Sequence, residues 1–299
     1  MTLLTIFTAP KPFEDPHITL IQRNAIRSWT LLGPEVEVIL MGKDFGVAEA
    51  AAEFGVAHLP DVACNEKGVP YIGDMFRLAR QTSDSPLLMV INADIILFPD
   101  MLQAARSAHQ QIDEFVLAGQ RYDLDVNEPL DFSDGWEQRL RAEVAARGTL
   151  HTPTGSDYFL FSRQVYQDVP NFTIGRAGWD NWMIYHGVTQ PWRFLDATPS
   201  VTIVHQNHDY RHLPNGQIHY RHPESERNVE LGGGNQKMYS LRDVPEFLEG
   251  ETIKKKPVTW LRLLRAVELR LQPASEEDNL RRRMYWKVRK YRARVQKDG

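Results

Sequence analysis

Apolar positions recur along the chain in two rhythms. Residues 3–8 are continuously apolar or β-branched and predict a first strand, whereas Ile18, Ile21, Ala25 and Trp29 fall at spacings of three and four and predict a helix over residues 18–32. The same reading gives a strand at 36–41, a helix at 47–54, a short strand at 57–59, a helix at 71–81 and a strand at 87–91. The 87–91 run is apolar without alternation, as in a strand buried on both faces. Strands that alternate with helices predict an α/β domain: a mostly parallel sheet flanked by helices. Ligands of such sheets bind beyond the carboxyl ends of the strands, so the residues after Thr8, Met41 and Ile91 draw attention first.

Farther along, a helix is expected from Asp100 to about Gln111, then a strand at 115–119. Residues 121–135 are polar and acidic and read as one long loop, a length that usually has a function. A helix at 136–147, a strand at 158–162, a short helix at 179–186 and a last strand at 201–204 follow, and then a His- and Gly-rich segment to Gly234.

Composition changes this picture in one respect. Hydrophobic residues at 42% and charged residues at 25% exclude disordered and collagen-like classes, and the single Cys64 excludes an intrachain disulfide. The net charge of -4 conceals a split: residues 251–299 carry 15 Lys/Arg against 6 Asp/Glu, while residues 1–250 carry 20 against 33. This divides the chain into an acidic body, 1–250, and a basic helical tail, 251–299. In the tail Trp260, Leu264, Val267 and Leu271 share one helical face, and Leu280, Met284, Val288, Tyr291 and Val295 form a stripe on a second helix. Such basic amphipathic helices lie on anionic membrane surfaces or pack on protein, including a second copy of the chain. No nucleic-acid-binding motif accompanies the charge, so no nucleic-acid partner is expected. The apolar start lacks a basic leader, and the longest apolar run is broken by Asn92 and Asp94. The expected location is cytoplasmic, peripheral at the membrane if the tail docks there.

Three segments carry candidate chemistry. In Val90-Ile91-Asn92-Ala93-Asp94, two polar groups two residues apart interrupt a buried strand, and in extended geometry both face one side. Oxygen ligands of this kind suit Mg²⁺ or Mn²⁺; a strand-end Asx turn explains the same pattern. In Gly175-Arg176-Ala177-Gly178-Trp179-Asp180-Asn181-Trp182, a carboxylate stands at the positive end of a helix, where it stays ionised and can act as a base or merely as a cap. Trp179 and Trp182 offer flat faces to a sugar ring or belong to the core. In Val204-His205-Gln206-Asn207-His208-Asp209, imidazoles cluster after a strand, as metal ligands or as a solvated loop.

Together with Thr8-Ala9-Pro10-Lys11-Pro12, these segments resemble the GT-A type of nucleotide-sugar-dependent glycosyltransferase, family-2-like, over roughly residues 1–235. The resemblance implies a Rossmann-like, mostly parallel sheet and a UDP- or GDP-linked sugar donor. It implies a divalent cation, Mn²⁺ or Mg²⁺, held by Asp94 with His205 or His208, and Asp180 as the base of an inverting reaction. Asn92 departs from the family's Asp-x-Asp. Thr8, Asp74, Arg77, Asn92, Asp94 and Asp157 are expected on the donor side. Trp136, Trp179, Trp182 and the acidic loop with Asp123, Asp125 and Glu128 are expected on the side of an unidentified acceptor. The rival readings are a metal-dependent hydrolase built on His205, His208 and Asp209, and a catalytically silent nucleotide-sugar-binding protein.

Overall fold

Strand β1 (Leu4–Thr8) is fully buried because helices cover both faces of the sheet around it. The computed structural model describes residues 2–208, 222–271 and 280–298. Helix α1 (Pro16–Thr30) begins two residues before the expected helix: Asp15 caps it, accepting from the backbone N–H of His17 and Ile18, and Pro16 presets the first turn. There follow β2 (Val36–Met41), α2 (Val47–Phe54), β3 (Ala57–Leu59), α3 (Ile72–Thr82), β4 (Leu87–Ile91), β5 (Ile95–Leu97), α4 (Asp100–Gln111) and β6 (Phe115–Ala118). The chain continues through β7 (Tyr122–Leu124), α5 (Trp136–Arg147), β8 (Thr149–Leu150), β9 (Tyr158–Ser162), α6 (Trp179–Thr189), β10 (Arg193–Asp196) and β11 (Ile203–Gln206). Then come α7 (Pro223–Leu231), β12 (Glu246–Glu249), β13 (Thr252–Lys255), α8 (Trp260–Arg270) and α9 (Leu280–Asp298).

The expected mostly parallel α/β sheet is present. It has nine strands in the order β13-β12-β10-β6-β9-β4-β1-β2-β3. β9 runs antiparallel to both β4 and β6, whereas β1 is parallel to β2 and β4. Its core is lined by Leu4, Ile6, Leu40, Met89, Leu117 and Leu160, all fully buried. A second sheet, β5-β11-β7-β8, crosses the carboxyl end of β4 and covers a smaller core of Ile96, Phe98, Leu124, Leu140 and Val204.

That second sheet corrects two expectations. Residues 121–135 are not one loop, because β7 forms within them and pairs with β11 and β8. The strand expected at 201–204 runs instead through Gln206 and is not the last, since β12 and β13 come after it. Its polar end stays extended because Gln206, fully buried, donates to the carbonyls of Ile21 (2.7 Å) and Asp94 (3.1 Å) and accepts from Asn24 (3.0 Å). Apolar patterning ends where these hydrogen bonds take over.

The chain divides into two compact units, Met1–Lys254 and Lys255–Gly299, a boundary that leaves most of the β12–β13 pair with the first. In the second unit, Glu268 is 1% exposed and accepts from Arg265 (2.7 Å, α8) and Arg292 (2.6 Å, α9). Leu264 is buried there, whereas Trp260 and Val267 of the same stripe are exposed. Among the described residues no helix is long and apolar enough to cross a membrane.

Candidate active site

A cavity of about 700 Å³ opens at the carboxyl ends of β1 and β4. Asp94 lies in the turn between β4 and β5, where the Ile95 N–H bonds the Asn92 carbonyl (3.3 Å). His205 enters from β11, directly opposite Ile95, and His208 follows two residues past the end of that strand. Asp94 Oδ2 is 3.1 Å from His208 Nε2 and 3.8 Å from His205 Nε2. One ligand atom from each of the three side chains falls within 4.8 Å of the others.

These residues fit a divalent cation. Asp94 Oδ1 is buried with no hydrogen bond among the described residues, a costly state for a carboxylate oxygen unless a cation takes it. One carboxylate and two imidazoles form a mixed N/O set that suits Mn²⁺ better than the all-oxygen preference of Mg²⁺. Burial alone would raise the Asp94 pKa, but His205, the His208 hydrogen bond and the Lys11 ammonium together hold it well below the usual carboxylate range.

Asn92 lines the cavity too, but its Nδ2 donates to Asp157 Oδ1 (2.9 Å), which also receives Arg121 (2.6 Å). Asn92 therefore braces the turn through Asp157. Thr8 borders the cavity with its hydroxyl engaged by the Ile91 carbonyl (2.6 Å).

On the opposite wall, Gly178 caps α6 in a left-handed conformation (φ 104°) and Asp180 is the second residue of the helix. A Cβ built on Gly155 would lie 2.1 Å from Asp180 Oδ2, so only glycine admits the carboxylate there. Asp180 keeps the expected place at the helix start but not the pKa of an ordinary carboxylate. Burial, aided by the charge of Asp157, pushes Asp180 up to about 6 against the backbone N–H groups of Asn181 and Ser156. Here burial outweighs the helix terminus.

Sequence reasoning missed two cations. Lys11 and Arg176 both line the cavity, and the Lys11 pKa is lowered first by burial and then by Arg176, against the pull of Asp94. Arg176 is held by Glu224 (2.7 Å). The available signal was their position, Lys11 just past β1 and Arg176 between two glycines.

Other expected residues stand elsewhere. Asp74 accepts from the Ala63 N–H (2.7 Å) and pairs with Arg77 (2.6 Å), and neither lines the cavity. Trp182, 7% exposed, stacks on His186 at 4.6 Å and belongs to the core; Trp136 stacks on Phe98 at 5.6 Å beneath the small sheet. Trp179 borders the cavity but is only 4% exposed, edge-on to Phe159. Trp182 is thus claimed by the core, whereas Trp136 is half-buried with one face taken by Phe98. Asp123 sits in β7, beside His205 and not on an acceptor loop. Asp125 accepts from Asn207 Nδ2 (2.8 Å). Asp209, which the hydrolase reading requires, lies outside the described residues.

No family model and no curated protein matches the sequence. Among solved structures, S. aureus TarS 1-349 is similar at 10% identity with a TM-score of 0.44, over 69% of this chain and 60% of that one. The same protein in complex with UDP-GlcNAc is similar at 8% identity with a TM-score of 0.47, over 73% of this chain and 62% of that one. In complex with UDP the figures are 9% and 0.43, over 68% and 60%. The chain thus spans about 60% of the length of the first of these structures.

Proposed function

We propose that the protein is a glycosyltransferase that moves a sugar from a nucleoside-diphosphate donor to an acceptor hydroxyl, with inversion. The observation that carries this reading is that one cavity unites a cation site, two basic side chains and a carboxylate with a pKa of about 6. Asp94, His205 and His208 hold the cation, which when bound supplies Lewis-acid stabilisation to the departing diphosphate. Lys11 and Arg176 add fixed positive charge toward the same phosphates, where negative charge grows as the bond to the anomeric carbon breaks. Asp180 accepts the proton of the attacking hydroxyl. Its raised pKa makes it a stronger base than an exposed Asp while leaving it mostly ionised at neutral pH. Attack from the face opposite the leaving group inverts the anomeric centre.

Calorimetry with UDP and GDP, with and without Mn²⁺, tests the binding half of this reading: nucleotide binding that requires Mn²⁺ is expected. Asp180→Asn is expected to bind the nucleotide unchanged and to lose about 10²-fold or more in turnover. Cation binding indifferent to nucleotides, together with phosphoester hydrolysis, would replace the transferase by the hydrolase. Turnover near wild type in Asp180→Asn would remove the base assignment.

A further inference from the structure

We propose that Asp123 is a positioning residue for the cation site: it sets the orientation and tautomer of His205 from behind, without touching donor or cation. The inference rests on the cation site proposed above and deepens it.

The fold places the pair. β7 and β11 run parallel with Asp123 and His205 as register partners, so both side chains stand on the same face of the small sheet. His205 Nδ1 is buried 3.3 Å from Asp123 Oδ1, close enough to pair although the geometry is not that of a hydrogen bond, and it makes no hydrogen bond among the described residues. The other ring nitrogen, Nε2, faces Asp94. A carboxylate on one side of an imidazole and a cation on the other is how metal-binding histidines are held, because the acceptor keeps the proton on the far nitrogen and frees the near lone pair.

Asp123 is itself fixed by more than packing. Its Oδ1 takes Arg121 Nε (2.8 Å) and its Oδ2 takes His151 Nδ1 (2.7 Å), so it has little freedom to turn away from His205. Arg121 continues the chain of contacts to Asp157, and Asp157 to Asn92 in the turn that carries Asp94. Arg121 and His151 line the cavity, whereas Asp123 is not among its lining residues and meets the site through the His205 imidazole. Its charge acts through the imidazole. The network thus braces the cation site from both ends, His205 through Asp123 and the Asp94 turn through Asn92.

Two readouts on the full-length protein test the assignment. In metal-free protein at alkaline pH, ¹⁵N NMR of the histidines is expected to show the Nδ1–H tautomer at His205, retained in Asp123→Asn, whose amide oxygen still accepts, and lost in Asp123→Ala. Mn²⁺ titration followed by electron paramagnetic resonance is expected to show affinity about 10–100-fold weaker in Asp123→Ala. Asp123→Asn should stay closer to wild type, and Asp123→Ala should have no further effect in a His205→Ala background. An unchanged tautomer in Asp123→Ala overturns the proposal, as does an affinity loss of equal size with and without His205. If wild type binds no Mn²⁺ while the tautomer responds as stated, the cation reading fails and the orientation of His205 by Asp123 stands. Should Asp123→Ala not fold, Asp123→Leu measured by the same two readouts takes its place.

Discussion

Asn92 shows how one atom can change the meaning of a motif. The resemblance leads one to expect a carboxylate there, yet Asp157 Oδ1 already occupies the position 2.9 Å from its side chain. Asn92→Asp would set two carboxylates against each other with a hydrogen bond lost, a cost on the order of 1–3 kcal/mol. Restoring the acidic residue is therefore predicted to lower the melting temperature and to leave Mn²⁺ affinity no better than wild type, which scanning calorimetry and cation titration would check. Gly155→Ala is predicted to displace the Asp180 carboxylate and cut turnover about 10²-fold while the circular dichroism spectrum stays native. The Asp180 pKa of about 6 sets a pH dependence with a definite sign. Protonation below about pH 6 removes the base, so kcat/KM should fall on that acid limb. Stability runs the other way: the folded state holds this proton more tightly than the unfolded chain, so the Asp180 contribution is greatest below pH 3.8 and declines as pH rises toward 6. Polar residues that broke an apolar pattern, Asp94, Asp180 and His205, were legible in the sequence as candidates. Lys11 and Arg176 were not, and Asp123 was read only as part of an acidic loop on the acceptor side, because a charge in a segment without hydrophobic rhythm does not show what its side chain meets.

At the level of elements, long periodic segments were read well. α2, α4, α5, β2, β4 and β9 fall where the apolar pattern places them. The strands that escaped, β5, β7, β8, β10, β12 and β13, have two to four residues each, too few for a period to show. Three of these six belong to the small sheet that carries the candidate cation site. The missed strands therefore hid the partner of His205 as well. The junction of α1, β5 and β11 depends on Gln206, whose amide reaches Ile21, Asn24 and Asp94. Gln206→Ala should strip buried partners from all three, at about 1–3 kcal/mol for each group left unpaired. A melting temperature several degrees lower, with weakened Mn²⁺ binding because the Asp94 backbone loses its anchor, is the expected result.

Across the whole molecule, the charge balance changes near residue 250 and the compact units part at Lys254 and Lys255. Among the described residues, every one that lines the cavity precedes that point. A chain ending at Lys254 should therefore bind Mn²⁺ and nucleotide as the full chain does, by calorimetry under identical salt. In the second unit, Glu268→Gln leaves Arg265 and Arg292 without their shared carboxylate and should loosen the α8–α9 pair, read as lost helicity on mild heating. The parallel pairing of β7 with β11 also has a temporal consequence. Asn207 and Asp125, at the end of that pairing, are 82 residues apart in the chain, and His208 is 114 residues from Asp94. Closing loops of that length is slow compared with forming local helices. On the ribosome, the first two hundred residues can acquire most of the large sheet while lacking both imidazoles, so the proposed cation site cannot assemble before β11 has been made, with α7, β12 and β13 still to follow.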